Sequence, residues 1–204
     1  MSKSTTSVIE TAAIETAISP RKLAHVVLRT KSNFDAMVKW YCTVLGARVV
    51  FNAGRLIFLS YDHEHHRIAI AASQDLAERP RRAVGLDHIA FTYEDIEALL
   101  TTYARLRQAG ILPFCCVNHG PTTSLYYYDP DQNRIELQVD NFADMTEATA
   151  LMQEQFSINP VGVEFDPEEM LARLRSGASS DELVRPTRNP GPPARELIAK
   201  LMGP

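Results

Sequence analysis

Cysteine is scarce: Cys42, Cys115 and Cys116 are the only three in 204 residues, with no C-x-x-C pair and no even framework. That excludes a disulfide scaffold and a thiolate metal knot. It points to a reduced, cytoplasmic setting in which the three thiols serve as small buried hydrophobes. Long apolar runs are missing as well. A stretch such as Leu23–Leu28 is interrupted by His25 and is far too short to cross a bilayer, so no membrane partner is expected. Positive charge is not in excess. Lys plus Arg is 21 against 25 for Asp plus Glu, a formal net charge of −4 with no basic cluster, so no nucleic-acid partner is expected. The first twenty residues lack the continuous apolar region of a secretion signal, and Glu10 and Glu15 do not suit an organelle transit peptide. Residues 1–20 read as a mobile tail.

What is present is an ordinary globular composition, 45% hydrophobic and 23% charged, organised by an internal repeat. From His25 the chain reads as a strand, then a helix from about Asn33 to Leu45 with Phe34, Met37, Val38, Tyr41, Val44 and Leu45 at helical spacing and Gly46 as its stop. Three strands follow: ARVVF, RLIFLSY and HRIAIAA. From His88 the order recurs: DHIAFTY, a helix over 94–109 stopped by Gly110, then ILPFCC, TSLYYY and RIELQV. The two last hairpins align, with Tyr61, Asp62, Arg67 and Ile68 lying over Tyr128, Asp129, Arg134 and Ile135. The expected fold is therefore α+β: paired β-α-β-β-β modules, at 21–75 and 84–142, forming a cupped mixed sheet around a metal site. Residues 143–204 read as a helical extension, with Asp166-Pro167-Glu168-Glu169 opening one helix and an Asn189–Pro193 linker leading to a last short one.

Six histidines and one carboxylate carry the chemistry. His25 and His88 occupy the same slot of the two modules, so a pseudo-twofold axis would bring their imidazoles together. Glu136 shares one strand face with Arg134 and Gln138, and a carboxylate on an otherwise buried strand needs a partner. A cation shared by His25, His88 and Glu136 is such a partner. The first-module counterpart of Glu136 is Ala69, which leaves one side of the site open. Two histidines and one carboxylate with open positions is the facial triad of non-haem Fe(II) oxygenases, whereas a fourth ligand would suit Lewis-acid isomerase chemistry. A symmetric hairpin over 126–136 sets Tyr126 opposite Glu136, where a phenol either hydrogen-bonds bound oxygen atoms or is simply a strand aromatic. His66 lies beside the open corner and can pass protons near neutrality. His63 and His65 read as part of a solvated turn.

These residues resemble the vicinal oxygen chelate superfamily of glyoxalases, bleomycin-resistance proteins and type I extradiol dioxygenases. His65-His66-Arg67-Ile68-Ala69 is similar to the paired-histidine segment of the dioxygenases, and the resemblance makes His66 the acid/base. The run from Asn118-His119-Gly120 through Tyr126 and Tyr128-Asp129-Pro130 is similar to the signature that leads to the last ligand, Glu136. The likeness spans about 21–142, with one module pair instead of the usual two, and Gln132 stands where the family's hairpin usually has Gly. It implies Fe(II), or Mn(II), on His25, His88 and Glu136, with a catechol-type diol and O2 as substrates. Tyr126 and His119 then steady the substrate oxygens, and the ring opens beside the diol to a hydroxymuconic-semialdehyde-type product, as in aromatic hydrocarbon catabolism. A homo-oligomer, dimer or larger, is expected. The competing readings are a metal-dependent glyoxalase-like lyase or isomerase, and a metal-free small-molecule binding or resistance protein of the same fold.

Overall fold

The structure, a computed structural model, describes residues 18–77, 84–187 and 190–202. Most of the N-terminal tail (1–17) and Asn189 of the linker lie outside the described residues. The first module comprises β1 (Val26–Thr30), α1 (Phe34–Leu45), β2 (Arg48–Asn52), β3 (Leu56–Ser60) and β4 (Ile68–Ala72). The second comprises β5 (His88–Thr92), α2 (Ile96–Gln108), β6 (Cys115–Asn118), β7 (Thr122–Tyr128) and β8 (Arg134–Asp140). Then come α3 (Met145–Gln155), β9 (Val163–Glu164), α4 (Pro167–Arg175), α5 (Ser180–Val184) and α6 (Arg195–Met202). Gly46 ends α1 in the left-handed conformation, and Asp95 starts α2 by accepting a hydrogen bond from the Ala98 N–H. Asp166 caps α4 in the same way, with Pro167 in its first turn.

The strands form two mixed sheets, β1-β4-β3-β2 and β5-β8-β7-β6-β9. The repeat holds at the level of register. Val27 pairs with Ala69 across β1 and β4, and Ala90 pairs with Glu136 across β5 and β8. Gln132, in the turn between β7 and β8, is the single described non-glycine residue with positive φ, at 64°. It adopts the conformation that glycine takes at no steric cost, for about 1–2 kcal/mol of local strain.

One contiguous core joins the modules. Met37, Tyr41 and Val44 of α1 pack in the same cluster as Leu99, Leu100 and Leu106 of α2. Polar contacts reinforce the junction. The buried Tyr41 hydroxyl donates to Asp129 Oδ2 at 3.0 Å, Asn33 Nδ2 donates to Asp131 Oδ1 at 2.7 Å, and Arg105 Nη2 donates to the Val44 carbonyl at 3.1 Å. Burial beside Asp129 raises the Tyr41 phenol far above its ordinary range, so the hydroxyl stays a donor. The thiols follow the sheet pleat: Cys116 enters the main core and Cys115 a second cluster with Val117, Tyr126 and Leu197. Among the described residues no helix is long and apolar enough to cross a membrane.

Candidate metal and active site

Glu136 lies in the middle of β8 with 4% of its surface exposed, flanked in register by Tyr126 on β7 and Ala90 on β5. His88 opens β5 opposite Arg134, two residues from Glu136 and therefore on the same face. Its Nε2 stands 2.9 Å from Glu136 Oε2, and its Nδ1 stands 2.7 Å from Asp87 Oδ2. An imidazole between two carboxylates carries both ring protons when no cation is present, and the hydrogen bond to Glu136 accordingly raises the His88 pKa. Burial alone would raise Glu136, but hydrogen bonds from His88, Ser124 and Tyr126 outweigh it and hold the carboxyl below its usual range.

This pair fits a metal. Asp87 fixes the ring through Nδ1 and aims Nε2 at the carboxylate, the outer contact by which proteins orient a ligating histidine. His88 Nε2 and Glu136 Oε2 already face each other within hydrogen-bond reach, so both would offer a lone pair to a cation once the Nε2 proton is lost. Replacing the Nε2 proton by a cation therefore needs little movement.

Tyr126 and His119 extend the array. The Tyr126 hydroxyl donates to Glu136 Oε1 at 2.9 Å, and His119 Nε2 lies 2.9 Å from the same hydroxyl. His119 Nδ1 faces the Val161 carbonyl, which only accepts. Tyr126 has one proton, so all three bonds are made only when His119 carries a proton on each nitrogen; burial opposes that and lowers its pKa. The row Val161–His119–Tyr126–Glu136 is thus short of one proton whenever His119 is neutral, and it can receive and pass one.

The Val161 contact depends on a close backbone approach that only glycine permits. A Cβ on Gly162, at φ +110°, would lie 2.3 Å from the Asn118 carbonyl oxygen and 2.7 Å from His119 Cα. Gly162→Ala is expected to push the 160–162 segment off His119 and to lower thermal stability by more than the roughly 1 kcal/mol of an ordinary strained Gly→Ala change. A melting curve within 0.5 kcal/mol of the parent would refute the close packing.

The remaining histidines form a second group on the first sheet. His25 lies just ahead of β1 and is exposed. The His66 ring stacks on Phe58, with centroids 4.4 Å apart, and lies 4.4 Å from the His25 ring, while His65 Nδ1 faces His66 Nδ1 at 2.6 Å. Burial lowers the His66 pKa, and the nearby His25 and His65 lower it further. The Arg shared by the two hairpins explains itself here. Arg67 Nη1 donates to the Leu23 and Ala24 carbonyls at 3.0 and 3.1 Å, and Arg134 Nη1 donates to Asp87 at 3.0 Å. Each arginine therefore holds the chain just ahead of its module's first-strand histidine. Between the groups no contact is made among the described residues, and no three His, Cys, Asp or Glu side chains there converge as metal ligands. The structure brings together His88, Glu136, Tyr126 and His119, and separately His25 and His66.

A cavity of about 290 Å³ opens beside the Glu136 group, walled by His119, Tyr126 and Glu136 on one side and by Leu151, Met152 and Phe156 on the other. That second wall comes from α3 and the turn after it, which the sequence pattern misses because of the eleven α3 residues only Ala148 is buried. Its one legible signal is Asp144, whose side chain accepts from the Thr146 N–H as a cap. A larger cavity, about 380 Å³, lies elsewhere, against Tyr103, Phe114, Cys116 and Phe165, and holds none of the histidines.

Comparison with known proteins places this geometry in context. The family model described as glyoxalase/bleomycin resistance protein/dioxygenase superfamily matches residues 22–137. Biphenyl-2,3-diol 1,2-dioxygenase 2 of Rhodococcus globerulus is 47% identical over 165 residues, 80% of this chain and 86% of that one. Biphenyl-2,3-diol 1,2-dioxygenase 3 of the same organism is 43% identical over 170 residues, 82% and 88% of the two chains. A solved glyoxylase/bleomycin resistance protein/dioxygenase domain from a Frankia species shares the fold, with a TM-score of 0.51 and 19% identity over 63% of this chain and 98% of that one.

Proposed function

Because the chain belongs to the glyoxalase/bleomycin resistance protein/dioxygenase superfamily, we propose that it is an extradiol dioxygenase that opens an aryl-substituted catechol, such as 2,3-dihydroxybiphenyl, beside its two hydroxyls with both atoms of O2. The observation that carries this reading is the buried Glu136 facing His88 Nε2, with Asp87 behind the ring and Tyr126 and His119 beside it. His88, Glu136 and His25 would hold Fe(II), and Mn(II) suits the same donors. The bound ion supplies one centre at which diol and O2 meet. Ala69, in register where a fourth ligand would stand, supports this over a lyase or isomerase.

The chain's own groups do the rest. Burial and the Glu136 charge raise the Tyr126 phenol well above neutrality, so it keeps its proton, which would turn from Glu136 to a bound substrate oxygen. His119 exchanges a proton through Tyr126, and His66 serves as the acid/base, worth about 10²–10⁴-fold. Leu151, Met152 and Phe156 offer an apolar wall against which a second ring would pack. In this reading residues 21–142 are the catalytic unit and 143–204 a helical extension that supplies that wall. A cytoplasmic place in aromatic catabolism suits the three free thiols, two of which burial pushes up to about 11 (Cys115) and about 12 (Cys116). Neither nucleic acid nor membrane is a partner in this reading.

The test is anaerobic Fe(II) reconstitution followed by air and either catechol or 2,3-dihydroxybiphenyl. Oxygen uptake matched to a yellow ring-opened product is expected; no uptake with either diol despite bound iron would refute the proposal. Phe156→Ala is expected to raise KM for 2,3-dihydroxybiphenyl about 10-fold, the size of a lost apolar contact, and to change KM for catechol less than about twofold. An equal rise for both diols would remove Phe156 from the wall.

A further inference from the structure

Asn159, a few residues past α3, is buried, with 6% of its surface exposed, and its side-chain amide is bonded at both ends. Oδ1 accepts from the N–H groups of Val161 and Gly162 at 3.0 and 2.7 Å, and Nδ2 donates to the Gly162 carbonyl at 3.0 Å. These partners fix which end of the amide is which, since a backbone N–H only donates and a carbonyl only accepts. The Asn159 N–H donates to the Gln155 carbonyl at 2.8 Å, which anchors the turn to the end of α3. Past the turn, β9 pairs Val163 with Asn118 and Glu164 with Val117 on β6. The segment is thus held on both sides of the point where it meets His119.

One of these bonds aims a carbonyl. The Gly162 N–H and the Val161 C=O belong to the same planar trans peptide and point in opposite directions. Holding that N–H on Asn159 turns the carbonyl to the other side, where His119 Nδ1 lies. A carbonyl oxygen facing an imidazole nitrogen requires a proton on that nitrogen. Burial lowers the His119 pKa and favours a ring with one proton. With that proton on Nδ1, Nε2 presents a lone pair 2.9 Å from the Tyr126 hydroxyl. The reverse tautomer would set two lone pairs against each other at Val161 and point an N–H at Tyr126.

We infer that Asn159 is a positioning residue: by aiming the Val161 carbonyl it keeps the His119 proton on Nδ1, and so keeps Nε2 open to receive a proton through Tyr126. A diol hydroxyl at Tyr126 then gives its proton to the phenol oxygen as the phenol's own proton passes to Nε2. The diol oxygen is left anionic and His119 becomes an imidazolium whose second N–H is already bonded to Val161. With the proton on Nε2 this transfer has no acceptor. The proton transfer rests on the dioxygenase reading above; the tautomer does not.

The experiment reads the tautomer directly. The full-length, metal-free chain is isotopically labelled at its histidine ring nitrogens, and the His119 signals are identified by their loss in His119→Gln. NMR at neutral pH then shows which ring nitrogen carries the proton. Nδ1 is expected in the wild type, and loss of that preference in Asn159→Ala. Gly162→Ala displaces the same carbonyl by another route and is expected to act alike, which covers an Asn159→Ala chain that does not fold. Asn159→Asp keeps an acceptor for both N–H groups and is expected to retain the Nδ1 proton. In the Fe(II)-loaded enzyme, Asn159→Ala is expected to lower kcat for 2,3-dihydroxybiphenyl about 10–100-fold, the usual worth of a contact that orients a working histidine, with KM within about twofold. Asn159→Asp is expected to recover most of that loss. A wild-type proton on Nε2, or an Nδ1 proton that persists in Asn159→Ala and Gly162→Ala, would overturn the inference. So would the alanine variant's tautomer in Asn159→Asp, or an unchanged kcat in a chain whose tautomer has moved. A tautomer that moves as expected in an enzyme whose wild type turns over neither diol would overturn the dioxygenase reading and leave the proton assignment standing.

Discussion

Glu136→Ala is expected to abolish metal retention and to reduce ring cleavage by more than about 100-fold, since even groups that only orient a ligand are worth 10–100-fold. The carboxylate is the point where the array converges: His88 Nε2 meets one oxygen and the Tyr126 hydroxyl the other. Truncation removes a donor to the cation and leaves the Tyr126 hydroxyl without its buried acceptor, which costs about 1–3 kcal/mol of stability. The measurement is metal content after gel filtration, beside a thermal melt that shows the fold persists. Wild-type metal content in this variant would take Glu136 out of the ligand set.

The same pair fixes the sign of a pH effect. His88 must give up its Nε2 proton to bind a metal, and its pKa is raised by Glu136, so metal retention weakens as pH falls through that raised value. In the metal-free protein the two groups act oppositely on stability. The raised His88 contributes fully below its unfolded value of about 6.5 and loses its contribution as pH rises through the folded value. The lowered Glu136 contributes fully above its unfolded value of about 4.3 and loses its contribution as pH falls through the folded value. Both contribute together between about pH 4.3 and 6.5, so chelator-treated protein is expected to melt highest there, and metal is expected to raise the melt most above that window. The two pH–melting profiles, with and without metal, check this.

The two modules, the order of their elements along the chain and the cross-strand placement of Tyr126 against Glu136 were legible because a repeat doubles every periodic signal and a strand has period two; the division into two sheets was not. Glu136 was legible as a carboxylate in a buried strand, and Ala69 as its counterpart. α3 and its apolar wall were not, since a helix lying across a cavity buries too few side chains to leave a stripe. The division of the histidines into two groups was illegible for another reason. Pseudo-twofold symmetry says that His25 and His88 are equivalent, but only tertiary packing says whether equivalent positions meet within a chain. Here the α1–α2 core and the Tyr41–Asp129 bond settle how the modules pack, and Tyr41 and Asp129 are 88 residues apart in sequence. The roles of Arg67 and Arg134 were likewise hidden, because their match in the repeat does not reveal that they grip the chain ahead of each histidine.

His66→Ala is expected to leave metal content and diol affinity near wild type while kcat falls by about 10²–10⁴-fold, the usual worth of a positioned proton-transfer group. The ring is held by packing: Phe58 stacks on one side at an interplanar angle of 13°, His25 lies 4.4 Å away, and His65 faces Nδ1. Burial and the two neighbouring imidazoles hold its pKa below the ordinary histidine value, which leaves the ring neutral and available to accept a proton at neutral pH. A group that acts only in proton transfer moves kcat and leaves binding alone, whereas one that only props up His25 moves metal content first. His66→Gln preserves much of the packing and none of the acid/base chemistry, so it is expected to match the alanine variant in kcat. Recovery of kcat in His66→Gln would assign the residue to positioning His25, and full activity in both variants would remove it from the mechanism.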